Sequence, residues 1–202
     1  MKIGILGTGS VAQALAGGCA AAGHSVTLGS RHPESRTDLV YPVSGLEETA
    51  RNAEVIVNAT PGASSKELLD QIDAAVFSGK LLIDVANAAT SSYELIYPGS
   101  SLGEKLQEML PEANVVKTMN TCAGKIFINP SSLEPTSIFV SGNDASAKNQ
   151  ATTLLKDLGW PEDSIIDLGG ISTAKGPEHY FVMWACLTKA MGTTALNVRV
   201  VR

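Results

Sequence analysis

The segment Gly7-Thr8-Gly9-Ser10-Val11-Ala12 sets small residues at the spacing G-x-G-x-x-A, directly after an apolar run. Each small residue there has a mechanical task in holding a phosphate. Gly7 makes a tight turn, Gly9 lets a pyrophosphate approach the backbone, and Ala12 lets the following helix pack close to the strand. A helix opening at this point presents free N–H groups and the positive end of its dipole to an anion. Gly7, Thr8, Gly9, Ser10 and Val11 are therefore candidate cofactor-binding residues. The competing reading is that they serve only close packing.

About 20 residues further on, a carboxylate ordinarily ends the second strand and holds a ribose 2′-hydroxyl. The segment LGSRHPES offers Ser30 and Arg31 there instead. A hydroxyl and a planar guanidinium suit a 2′-phosphate, which a carboxylate would repel. Ser30, Arg31, His32 and Arg36 thus form a candidate 2′-phosphate site, favouring NADP(H) over NAD(H). The alternative is that Arg31 only caps a surface loop.

Such groups must be carried at the ends of strands, and the rest of the chain supplies strand and helix signals in alternation. Strands are predicted at 2–6, 25–28, 54–59, 81–85, 114–118, 137–141 and 164–167, with helices at 10–22, 46–51, 64–75, 102–110, 145–158 and 177–196. The strand segments are apolar without strict alternation, as expected where both faces are covered. The predicted fold is α/β, a Rossmann-type doubly wound, mostly parallel sheet. It spans a single domain, 1–202, with its core at 1–120 and a C-terminal extension at 121–202 that ends in a long apolar helix. That helix carries Phe181, Val182, Met183, Trp184, Leu187, Met191 and Leu196 on nearly every side, which places it in the core or against a second subunit. A homodimer through this helix is the expected partner arrangement.

Ligands of such sheets lie beyond the carboxyl ends of the strands. Ala59, Thr60 and Pro61, then Ala86, Asn87 and Ala88, then Asn120 occupy those positions and complete the candidate cofactor site. They are small residues, amides and hydroxyls, suited to a nicotinamide pocket, and they include no general acid or base. The titratable candidates are Lys117, Lys125, Lys175 and His179. Lys117 reads more readily as a solvated lysine, His179 as a structural histidine and Cys122 as a packing residue.

With 202 residues, 44% of them hydrophobic, and a net charge of −5, the chain has no basic face for nucleic acid or an anionic membrane. Its three cysteines are scattered, without metal-ligand spacing. The opening MKIGILG is strand-like rather than a basic leader, and no long uninterrupted apolar run occurs, so a cytoplasmic protein with a small-molecule partner is expected.

The segments MKIGILGTGSVAQALA, VTLGSRHPE, VIVNATP, LLIDVANA, VVKTMN, IFVSGNDASAK and the DLGG turn together resemble the NADP-dependent deazaflavin oxidoreductases and related dinucleotide-binding reductases. The oxidoreductase domain of the six-transmembrane metalloreductases is similar. The resemblance covers nearly the whole chain. It implies pyrophosphate binding by Thr8 to Val11, 2′-phosphate binding by Ser30 and Arg31 with Arg36 as a further candidate, and ribose and nicotinamide contacts at Thr60, Pro61 and Ala86 to Ala88. It further implies hydride transfer between NADPH and a flavin-like or deazaflavin co-substrate, a reaction in which the rings carry the chemistry and no protein acid is needed. Two other readings stand beside it. One is a non-catalytic NADP(H)-binding sensor or interaction module. The other is a hydroxyacid-dehydrogenase or imino-acid-reductase type of enzyme, disfavoured because only one long helix follows Gly176.

Overall fold

The structure, a computed structural model, describes residues 1–201. Strand β1 (Lys2–Leu6), helix α1 (Ser10–Ala21) and strand β2 (Ser25–Ser30) open the chain. Next come β3 (Val43–Gly45), α2 (Leu46–Asn52), β4 (Val55–Asn58), α3 (Ser65–Leu69) and β5 (Leu81–Asp84). The remainder is α4 (Leu102–Met109), β6 (Asn114–Lys117), α5 (Gly124–Phe127), β7 (Ile138–Gly142), α6 (Ala145–Asp157), β8 (Ile165–Gly169) and α7 (Lys175–Met191). All eight strands join one sheet in the order β3-β2-β1-β4-β5-β6-β7-β8. Its first six follow the doubly wound order, with the direction of winding reversing between β1 and β4. β7 runs antiparallel to β6, and β8 parallel to β7, so the extension widens the same sheet.

Continuous apolar strands are explained by cover on both faces. Ile3, Ile5, Val57, Ile83 and Val116 point into a core with α1, α5 and α6, whereas Leu6, Ile56, Leu82 and Val115 point into a second core with α2, α3 and α4. Fully burying each such side chain stabilises the fold by about 1.5–3 kcal/mol. Polar residues interrupt the second face in one row. Asn58 on β4, Asp84 on β5, Lys117 on β6 and Ser141 on β7 are successive register partners at the ends of their strands.

The elements depart from expectation in several places, among them the short helix α5, which is absent from the sequence reading. The short edge strand β3 lacks a strong apolar signal and is absent from the sequence reading. The helix expected at 64–75 stops after Leu69, and a separate turn forms at Ala74–Phe77, where the Asp73 carboxylate accepts the Ala75 N–H at 3.0 Å. A capped restart outcompetes continuation. The last helix starts two residues before Pro177, whose missing N–H falls among the first-turn groups that have no intrahelical partner anyway. It ends at Met191 instead of running to 196, because Gly192 adopts a left-handed conformation with φ +66°. Its apolar side chains are not wholly enclosed: Met183 is 56% and Met191 64% exposed. Among the described residues no helix is long and apolar enough to cross a membrane.

Candidate functional site

Three strand ends are knitted together at the point where the sheet reverses. Gly7 has φ +124°, and a Cβ there would stand 2.5 Å from the Ala59 carbonyl oxygen, so only glycine allows β1 to turn this close to β4. The Gly7 N–H donates to the Gly29 carbonyl at 2.9 Å, which ties the turn to β2. Gly9 immediately precedes α1, and no side chain caps the helix N-terminus. Gly9, Ser10 and Val11 line the cleft at this uncapped end, and a Cβ on Gly9 would meet nothing within 4 Å. This is the cradle that a pyrophosphate would fill.

The cleft here has a volume of about 570 Å³. Its walls include Gly7 to Val11, Ser30 to His32, Arg36 and Ala59 to Pro61, so the glycine turn and the expected 2′-phosphate residues share one cavity. The Ser30 hydroxyl oxygen accepts the His32 N–H at 3.1 Å, leaving its own proton free to donate. Arg31 is exposed at the rim, and His32 lies 3.6 Å from Glu34 with most of its ring in solvent. Arg36 reaches furthest in. Its guanidinium donates to the Thr8 hydroxyl and, at 3.3 Å, to the Thr8 carbonyl, while Asp38 accepts from its Nε at 3.4 Å.

A second cavity of about 380 Å³ continues from the first, and Ser10, Val11, Ala59 and Thr60 line both. Ala86, Asn87 and Asn120 line it as expected from their strand ends. Gly62 also belongs to this wall, and any side chain on it would collide with the Asn87 carbonyl. Met119 takes φ +53° at the end of β6, a conformation uncommon outside glycine, and Asn120 follows it to meet Asn87. The Asn120 amide donates to Asn87 Oδ1 at 3.0 Å, and the Asn87 amide donates to the Asn120 carbonyl at 2.8 Å. Asn120 Oδ1 is left buried without a partner, a ready acceptor for a carboxamide N–H. Ala88 lines neither cavity. It is 1% exposed and turned into the second core, so its backbone supports the loop without offering a surface to a ligand.

The far wall was not legible as a site. Phe181 and Trp184 of α7 close the second cavity, with their rings stacked at 5.8 Å and an interplanar angle of 16°. Tyr93 lies tilted against Phe181 at 6.0 Å. Their spacing in the sequence marked only an apolar helix, which core packing explains equally well.

None of the expected acid–base candidates enters either cavity. Lys125 and Lys175 are exposed elsewhere, and the His179 ring faces the carbonyls of Lys175 at 2.6 Å and Pro98 at 3.1 Å. Lys117 corrects the sequence reading most sharply, since a strand-end lysine read as solvated is fully enclosed. Its ammonium lies 2.8 Å from Asp84 and 2.8 Å from Glu178, and it also donates to the Ala86 carbonyl. Burial alone would lower its pKa, but the two carboxylates outweigh burial and hold it above the ordinary lysine value. Burial pushes Asp84 upward despite the ammonium beside it. Cys122 edges the second cavity, and burial pushes its thiol well above the usual range, in keeping with a packing role.

The chain is similar to known proteins to different extents. The family described as coenzyme F420-dependent NADP oxidoreductase matches residues 2–88. A candidate F420-dependent NADP reductase from Arthrobacter sp. FB24, known from its crystal structure, is 39% identical over the whole of both chains with a TM-score of 0.94. Rat metalloreductase STEAP3 is 29% identical over 184 residues, covering 88% of this chain and 36% of its own length. The chain therefore spans about a third of that relative. Plasmodium falciparum pyrroline carboxylate reductase, solved with NADP bound, shares the fold at 21% identity and a TM-score of 0.60, over 98% of this chain and 71% of its own. With the glycine turn, the doubly wound sheet and a full-length relative at 39% identity in agreement, the chain belongs to the coenzyme F420-dependent NADP oxidoreductase family.

Proposed function

We propose that this protein is an enzyme that moves a hydride between NADPH and a flavin-like or deazaflavin acceptor. One observation carries the reading: the second cavity holds no carboxylate, histidine or lysine among its described lining residues, and its only thiol is held protonated by burial. Reduction of a carbonyl or imine needs a positioned proton donor. Hydride exchange between two flat rings needs alignment and exclusion of water. Phe181 and Trp184 offer a flat apolar wall for such a ring. When bound, the nicotinamide supplies or accepts the hydride. The chain's own residues do the holding. Thr8 to Val11 receive the pyrophosphate, Ser30, Arg31 and Arg36 the 2′-phosphate, and Asn120 Oδ1 the carboxamide. The exposed Met183 and Met191 on α7 fit a homodimer formed through this helix.

Titration of wild type and Arg31→Ala with NADPH and NADH tests the cofactor assignment. Loss of one charge-assisted hydrogen bond, about 1.5–3 kcal/mol, should weaken NADPH binding by roughly 10- to 150-fold and leave NADH nearly unchanged. Steady-state NADPH oxidation with coenzyme F420, FMN and a soluble quinone tests the reaction. Tight NADPH binding with no turnover across that panel would leave the sensor reading in place of the enzyme.

A further inference from the structure

The row of polar residues across the second face of the sheet is continuous from the cofactor cleft to α7. Thr60, which lines both cavities, donates through its hydroxyl to Asn58 Oδ1 at 2.7 Å. The Asn58 amide donates to Asp84 Oδ1 at 2.9 Å, and the Ala86 N–H donates to the same oxygen at 3.2 Å. The Lys117 ammonium joins Asp84 Oδ2 to Glu178 Oε1, and its third bond goes to the Ala86 carbonyl. Glu178 then accepts the N–H groups of Leu102 at 2.9 Å and Gly103 at 3.2 Å, at the start of α4. All three protons of the ammonium are thereby used, and both carboxylates are bonded on both oxygens.

This connection has two ends that matter to the ligand. At one end, the same Ala86 peptide segment that lines the second cavity is held from both sides, through its carbonyl by Lys117 and its N–H by Asp84. At the other, Glu178 is 3% exposed on a helix that is otherwise half-exposed, and Phe181 and Trp184 follow it on that helix. Only Pro177, Glu178 and Ala185 of α7 are buried. An apolar contact could slide along such a helix, whereas a carboxylate fixed by an ammonium and two peptide N–H groups admits one position.

We infer that the buried Lys117–Glu178 pair is a positioning device, which seats α7 so that Phe181 and Trp184 wall the nicotinamide half of the cleft opposite the Ala86 loop. Neither residue touches the ligand. Both act through the helix and the loop they hold. The inference rests on the proposed binding of NADP(H) in this cleft.

The test separates the two halves of the cofactor. Adenosine 2′,5′-bisphosphate reaches only the glycine turn and the arginines, whereas NADPH also requires the second cavity. In Glu178→Gln, which keeps the shape and the acceptor for one N–H but removes the charge, NADPH affinity should fall roughly fivefold to tenfold while adenosine 2′,5′-bisphosphate binds as in wild type. Trp184 fluorescence, read in a Trp160→Phe background, should shift in the same variant, and Glu178→Asp, with its charge retained, should restore part of the NADPH affinity. Equal losses for both ligands, or no loss for either, overturns the positioning role. If wild type binds neither ligand, the underlying cofactor assignment fails instead.

Discussion

Replacing Lys117 by Met removes the ammonium while keeping most of the volume, and strands two carboxylates in the core. Side-chain exposure is 0% at Lys117, 0% at Asp84 and 3% at Glu178, so solvent cannot screen what remains. Breaking a buried ion pair from one side costs about 3–5 kcal/mol, most of it the desolvated partner left behind. For a domain of this size that corresponds to a fall in melting temperature on the order of 10 °C. The cost should depend on pH. Burial raises Asp84 above its unfolded value even with the lysine present, and without it the carboxyl rises further. A raised carboxyl binds more protons folded than unfolded, so its stabilising contribution is full below about pH 4 and is lost as pH rises through the folded pKa. Lys117→Met should therefore be closer to wild type at about pH 5 than at about pH 8. Wild type carries the opposite liability, because Lys117 is raised above its ordinary value and its contribution is lost only as pH climbs beyond about 10.5. Urea unfolding at both pH values is the assay. The triple variant Asp84→Asn, Lys117→Met, Glu178→Gln, with no charge left to bury, should recover most of the loss. A deficit in Lys117→Met below about 1 kcal/mol, or a triple variant no better than the single, refutes the reasoning.

Two other measurements follow from exposure. Burial pushes the Cys19 thiol up to about 12 and Cys122 also upward, while Cys186 is exposed, so an aromatic disulfide reagent should titrate one thiol per native chain and all three after denaturation. Two or more fast thiols in the native protein would contradict the packing around Cys122. The exposed methionines of α7 lead to an expected dimeric mass by light scattering at micromolar concentration, reduced to monomer by Met183→Lys. A monomeric wild type removes the dimer.

Much of the first cavity could be read from adjacent residues. The glycine turn, Ser30, Arg31 and Arg36 lie within two loops that follow neighbouring strands, and local rules place each of them. The second cavity resisted because its parts come from distant segments. Phe181 and Trp184 meet Ala86, Asn87 and Asn120 only after the chain has added β7, α6 and β8. Periodicity cannot tell an aromatic pair that walls a cavity from one that fills a core. Ala88 shows the converse error, since a residue adjacent to a cavity in sequence points away from it in a strand-end loop.

By itself, the sequence determined the alternation of strands and helices, the glycine turn and the replacement of a carboxylate by Ser30 and Arg31, because each is governed by neighbours along the chain. Only the tertiary structure decided the fate of Lys117. A lysine at a strand end is soluble by default, and its enclosure depends on Asp84 one strand away and Glu178 more than 60 residues later arriving at the same point. Charge is tolerated in a core only where opposite charge and hydrogen bonds meet it there.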